Sequence, residues 1–180
     1  MSERMRRLVD GKGAERIVAE MQASRFTLRR AEHRDCALLW EWANEPGVRQ
    51  AAFCEDYISW AEHTAWFSRK MRDPRCVILI GEDDAGAPLG QMRVDFRSKA
   101  EGEIDVSLSA SKRGSGYGSR LVDLGVRRIF STTDLVQVHA FIRPQNTRSM
   151  LAFERAGFIK VGEELVKGHP AIHYSRTRDQ

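Results

Sequence analysis

The chain has 180 residues, 42% of them hydrophobic and 30% charged, with a formal net charge of +4. That content suits one globular domain with its own core and excludes a disordered or low-complexity chain. There is no apolar run of membrane-spanning length, no signal-peptide centre near the N-terminus, and no metal or disulfide pattern among Cys36, Cys54 and Cys76, so a cytoplasmic protein without metal is expected. Residues 1–23 read as an N-terminal extension, with a short helix over 14–21 after Gly11 and Gly13, and the main domain runs from 24 to 180. Residues 26–30 predict a strand. Asp35 is placed to cap a helix carrying Leu38, Leu39, Trp40 and Trp42. Pro46 and Gly47 end that helix after Asn44, and a loop through Val48 and Arg49 is expected as far as Ile58. Ser59 then caps a second helix, to about residue 71, bearing Glu62, His63, Trp66 and Phe67. Two strands, 77–81 and 89–96, follow, joined by a turn ending at Gly86.

The next stretch organises the chain. Ile104, Val106 and Leu108 alternate with Glu103, Asp105 and Ser107, the period of a strand with two unlike faces. Leu121, Val122, Leu124, Val126 and Ile129 recur at helical spacing. Between them, Gly114, Gly116 and Gly118 make a glycine turn that opens a helix, where exposed N–H groups and the helix dipole stabilise an anion. Phosphate binding is the inference. The mononucleotide loop needs Lys and Ser/Thr after its last glycine, whereas Lys112 comes before the first. The dinucleotide fingerprint needs glycine at 119, which is Ser. Beyond residue 138 come a strand, a helix led by Asn146, and a closing strand over 171–176 that includes His173 and Tyr174.

Arg113-Gly114-Ser115-Gly116-Tyr117-Gly118 resembles the Arg/Gln-x-x-Gly-x-Gly/Ala signature of the GNAT superfamily of N-acetyltransferases. The later block, Val138 to Asn146 and on through Ala156-Gly157-Phe158, resembles that family's second coenzyme segment. The resemblance implies an α/β (α+β) fold of about seven mixed strands and about four flanking helices, splayed where acetyl-CoA enters. It assigns the coenzyme phosphates to the backbone of Arg113, Gly114, Ser115, Gly116, Tyr117, Gly118 and Ser119. The thioester falls near Leu108, Ser109 and Ala110, where a backbone N–H would polarise the carbonyl, and Lys112 and Arg113 would add charge near the phosphates. Asn146 becomes a coenzyme contact and Phe153 a wall of the channel. Many family members carry a tyrosine at the position of Phe153 as general acid, so that role is not transferred.

The series Trp40, Trp42, Asn44, Arg49, Glu62, His63, Trp66 and Phe67 resembles the branch that acetylates the 4-amino group of UDP-linked amino sugars in the pseudaminic acid pathway. It implies Trp42, Asn44, Arg49, Glu62 and Trp66 around a nucleotide-sugar acceptor, with Arg49 on the diphosphate, and it allows a homodimer. Residues 8–21 resemble the tail of the UDP-sugar hydrolase of that pathway, which implies a fusion to, or action alongside, such an enzyme. Core packing is the competing reading for most of the aromatics.

Acetyl transfer to an amine needs a neutral amine and donors for the oxyanion. Glu103, Asp105 and Ser107 share one strand face, and two carboxylates two residues apart can raise one another's pKa toward a useful base. His63 and His139 are further candidates, as is a water chain. Two other readings stay open: a peptide or ribosomal-protein Nα-acetyltransferase, and a coenzyme-binding module without catalysis.

Overall fold

The structure, a computed structural model, describes residues 26–179; the expected N-terminal helix and the hydrolase-like tail lie outside the described residues. The seven strands are β1 (Thr27–Arg30), β2 (Cys76–Glu82), β3 (Pro88–Phe96), β4 (Glu101–Leu108), β5 (Gln137–Ile142), β6 (Ile159–Val166) and β7 (His169–Thr177). They form one sheet in the order β1-β2-β3-β4-β5-β7-β6. Every neighbouring pair is antiparallel except β4 and β5, which are parallel and joined by a helical crossover. The helices are α1 (Cys36–Ala43), α2 (Pro46–Ala51), α3 (Trp60–Arg72), α4 (Tyr117–Thr132) and α5 (Thr147–Arg155).

Strand alternation divides the sheet into two faces. Met92, Val94, Ile104, Val138, Ala140, Ile142, Ile172 and Tyr174 meet Leu121, Val122, Val126 and Ile129 of α4 and Phe153 of α5 in the main core. On the other face, Ile78 and Ile80 of β2 pack under Leu39 and Trp42 of α1 and Phe67 of α3 in a second core. Among the described residues no helix is long and apolar enough to cross a membrane.

Two expectations need correction. The stretch after Asn44 is not all loop, because Pro46 begins α2 as its first residue: the ring fixes φ and the missing N–H is one that a first turn leaves unpaired anyway. Asp35 sits at the N-cap of α1 without a capping bond there. Its carboxylate accepts instead from the Glu32 N–H and from both terminal nitrogens of Arg29. Ser59 does cap α3, in a reciprocal capping box with Glu62.

Candidate functional site: a splayed sheet and a glycine cradle

Pairing between β4 and β5 covers only Glu101 to Glu103 against Gln137 to His139. Beyond that apex the strands part, so the β4 edge from Ile104 to Leu108 faces a cleft toward β5. Alternate N–H groups along a strand point to opposite sides, which gives that edge donors directed into the cleft.

The glycine turn lies at the mouth of the cleft. A short 3₁₀ turn (Ala110–Lys112) precedes it, and α4 starts at Tyr117 with Gly116 as its N-cap. Gly114 and Gly116 hold φ of +80° and +81°, a region that other residues enter only with strain, and a Cβ at either would meet nothing within 4 Å. The turn therefore presents bare backbone to open space at a helix N-terminus, the arrangement that binds phosphate. Gly118 differs: its Cβ position faces Leu108 and Ala152, at 3.5 and 3.6 Å, toward the protein. Ser119 donates its hydroxyl to the Gly116 carbonyl. Two cationic side chains near the cleft have buried nitrogens without a partner among the described residues: Arg120 Nε, in the first turn of α4, and Arg143 Nε and Nη2, just past β5. The cradle, the positive ends and these donors fit a coenzyme with several phosphates.

The cradle is held from behind. Glu45 accepts from the Ala110 N–H at 3.1 Å and pairs with Arg113, whose guanidinium also donates twice to the Leu108 carbonyl, at 3.0 and 3.2 Å. This corrects two expectations. Arg113 is committed to Glu45 and Leu108 and braces the loop from the inside. The N–H groups of Ser109 and Ala110 are also taken, by the Leu89 carbonyl and by Glu45, so the backbone that can polarise a thioester carbonyl is the β4 edge deeper in the cleft. Lys112 Nζ lies 3.9 Å from Asp83. Asn146 caps α5 by accepting from the Ser149 N–H, and Phe153 is buried edge-on against Phe158.

The residues expected around a nucleotide sugar turn out to build the fold. Trp42 is buried in the second core. Asn44 accepts from the Ile58 N–H and donates to the Ile58 and Trp40 carbonyls. Arg49 donates to the carbonyls of Ala43, Cys54 and Asp56. Glu62 belongs to the capping box, where the Ser59 hydroxyl and N–H hold its carboxylate below the usual range. Trp66 carries the Arg93 guanidinium 5.3 Å from its ring centre. Together Asn44 and Arg49 staple the 52–58 loop onto α1. A diphosphate would have to compete with three carbonyls for Arg49.

The expected bases are also redistributed. His63 is buried among Trp60, Trp66 and Phe67, with Nε2 3.0 Å from the Cys36 carbonyl. Burial pushes its pKa below the ordinary histidine value, against the opposing hydrogen bond. It is a residue of the core. Glu103 and Asp105 do share the open face with Ser107, but they are not an isolated pair of carboxylates. Glu103 accepts twice from Arg97, whereas Asp105 accepts from Gln91 at 3.0 Å and lies 3.7 Å from Arg93.

On the same face, starting at the apex, stands a group that local spacing does not reveal. His139 of β5, His173 of β7 and Glu164 of β6 are linked across three strands. His139 Nδ1 lies 3.0 Å from His173 Nε2, and His173 Nδ1 lies 2.6 Å from a Glu164 oxygen. Phe141 stacks on His173, and the Arg97 guanidinium lies 4.8 Å from the Phe141 ring centre.

A mixed sheet parted between its parallel strands, with a glycine cradle on the crossover helix, is the framework of an acyl-coenzyme A acyltransferase. The chain belongs to the acetyltransferase (GNAT) domain family, whose profile matches residues 25–159, and it is an acetyl-CoA-dependent N-acetyltransferase. It is 23% identical over 171 residues to an aminoglycoside N(6')-acetyltransferase type 1 of Klebsiella pneumoniae, covering 84% of this chain and 83% of that one. A structure of AAC(6')-Ib with ribostamycin and coenzyme A superposes with a TM-score of 0.77 at 23% identity, over 86% of this chain and 94% of the other. Spermidine N-acetyltransferase from Vibrio cholerae, solved with CoA and spermine, gives 0.78 at 17% identity, over 87% and 97%.

Proposed function

We propose that the acceptor is a small, multiply charged amine of the aminoglycoside or polyamine kind. The observation that carries this reading is the open face beside the splay, where Glu103 and Asp105 leave 42% and 55% of their side chains exposed. Glu55 stands exposed nearby on the stapled loop, tied to Arg143. Carboxylates at a cleft raise the local concentration of a cationic substrate and orient its ammonium groups. The similarity to acetyltransferases of aminoglycosides and spermidine points the same way. The nucleotide-sugar reading loses support because Arg49, Asn44 and Trp42 are spent on the fold.

In this reading the cradle of residues 114–116 fixes the coenzyme phosphates and the β4 edge donates to the developing oxyanion. The acceptor amine comes in from the carboxylate face, so the two substrates meet at the apex and transfer is direct. The test is thiol release from acetyl-CoA with kanamycin, spermidine, a UDP-4-amino sugar and an N-terminal peptide as acceptors. Turnover with a polycationic amine, at a KM that rises with ionic strength, is expected. Turnover with the UDP-sugar alone, or with the peptide alone, would overturn the acceptor class.

A further inference from the structure

We propose that His139, His173 and Glu164 form a proton relay in which His139 takes the proton of the acceptor amine at the apex of the splay and passes it to the outer edge of the sheet.

The hydrogen bonds fix the direction. Glu164 can only accept when ionised, so the proton between it and His173 sits on His173 Nδ1. His173 Nε2 then carries a lone pair, and the proton between the two rings sits on His139 Nδ1. That leaves His139 Nε2 as the basic nitrogen. The position suits a base, because His139 is the last β5 residue paired with β4, opposite Glu103, where the strands part. It projects to the face opposite α4, since its neighbours Val138 and Ala140 belong to the main core.

The surroundings favour the neutral form of the base. Burial first, and then His173, push the His139 imidazole below the ordinary histidine value, with Arg97 acting in the same sense and Glu101 and Glu103 against it. Those groups, with Glu164 across His173, are the charges facing the ring from β4, the β3–β4 turn, β7 and β6. The carboxylates of the same face already hold arginine or glutamine partners. At the outer end, 51% of the Glu164 side chain is exposed, so a proton delivered there passes to water.

The acceptor ammonium gives one proton to His139 Nε2. The His139 Nδ1 proton moves to His173 Nε2, and the His173 Nδ1 proton moves to Glu164 and then to solvent. The neutral amine forms the C–N bond to the thioester carbonyl, the C–S bond breaks, and the coenzyme leaves as thiolate. The second amine proton, lost from the tetrahedral adduct, balances protonation of that thiolate, a fair leaving group with an ordinary thiol pKa near 8.5.

The proposal rests on the reading that an amine is acetylated at the apex, so its test has one arm with acceptor and one without. With the best acceptor, His139→Asn should lower kcat/KM by about 10²-fold, the range of a general base, and abolish its acid limb. Glu164→Gln should move that limb to lower pH, because the carboxylate no longer favours the charged imidazole pair, at a cost of under about tenfold. A purely structural relay would leave the limb in place in both variants, and that result overturns the proposal. Without acceptor, nitrogen NMR of the wild-type imidazoles should show both rings as Nδ1–H tautomers, titrating as a coupled pair. Two independent titrations, or an Nε2–H tautomer at His139, would overturn it even if no acceptor is turned over. His173→Asn, at a half-buried position, replaces His139→Asn should the latter not fold: it leaves the base but removes its neighbour, so the acid limb should shift, and an unmoved limb would overturn the proposal.

Discussion

The two sides of the splay are made of different material. On the coenzyme side the working surface is backbone: Gly114 and Gly116 face open space, and the side chains near them, Glu45 and Arg113, brace the loop from behind. On the side proposed for the acceptor the surface is side chain, with Asp105, His139 and His173 held by partners on other strands and Glu103 by Arg97 of the β3–β4 turn. A backbone cradle suits a ligand that never changes, because it needs only φ angles and open space. Side chains suit the substrate that differs between relatives, since each can be exchanged without rebuilding the loop.

The sharpest way to break this contrast is to put a side chain on the backbone side. Gly116→Asp adds a carboxylate where the phosphates bind, while aspartate tolerates the left-handed conformation at a cost of about 1–2 kcal/mol. Coenzyme affinity should fall by at least about 100-fold, or ~2.7 kcal/mol, by calorimetry, while the protein stays folded. Unchanged affinity would remove the cradle from the coenzyme site. The brace comes next. Arg113→Ala leaves Glu45 and the Leu108 carbonyl without their partner, and bonds to charged groups are worth roughly 1.5–3 kcal/mol. We expect a drop of that size in chemical denaturation, with coenzyme affinity down about tenfold through a loosened loop. If affinity falls while stability is untouched, Arg113 touches the coenzyme after all.

These two variants also mark where the sequence is readable. The strand–glycine–helix order and the Asn146-led helix are encoded in short stretches, and the structure shows them within a residue or two of their expected limits. The aromatic and polar series from Trp40 to Phe67 is equally visible, but its purpose is not. Asn44 and Arg49 become structural only because Ile58, Cys54 and Asp56 fold back onto them across a loop whose path no periodicity predicts, and Trp42 because α1 lays it into the second core with β2. The histidine relay is harder still. His139 and His173 meet because β7 enters between β5 and β6, so residues 34 apart become cross-strand neighbours. A histidine on each of two strands and a glutamate on a third carry no local spacing to detect. The same fold-back explains why nothing local pairs Arg113 with Glu45, 68 residues away.

Asn44 sharpens the comparison on the acceptor side. Its carboxamide makes three bonds, two of them to the Ile58 backbone, so Asn44→Ala strands the Ile58 N–H and leaves the Ile58 carbonyl with the Trp40 indole N–H alone. A loss of about 1–3 kcal/mol is expected, with kcat lowered only as far as the loop loosens. An acceptor contact would behave differently, raising KM with the melting temperature unchanged, and the pair of measurements separates the two.

The smallest effect falls on the glycine that shares the motif but not the conformation. Gly118 lies inside α4, its Cβ position is directed at Leu108 and Ala152 at ordinary contact distance, and its φ is not in the left-handed range that Gly114 and Gly116 occupy. Alanine there keeps the N–H that a phosphate would use and removes the entropic weakness of a helical glycine, about 0.5–1 kcal/mol. Gly118→Ala should therefore raise stability slightly and leave coenzyme affinity within twofold, whereas Gly116→Ala should weaken coenzyme binding through strain in the turn. Loss of binding in Gly118→Ala would mean that the ligand presses against this face of the helix, so that the cradle extends one turn further into α4 than its open backbone indicates. Retained binding would confine it to the two left-handed glycines, in keeping with the alanine that the signature allows at its last position.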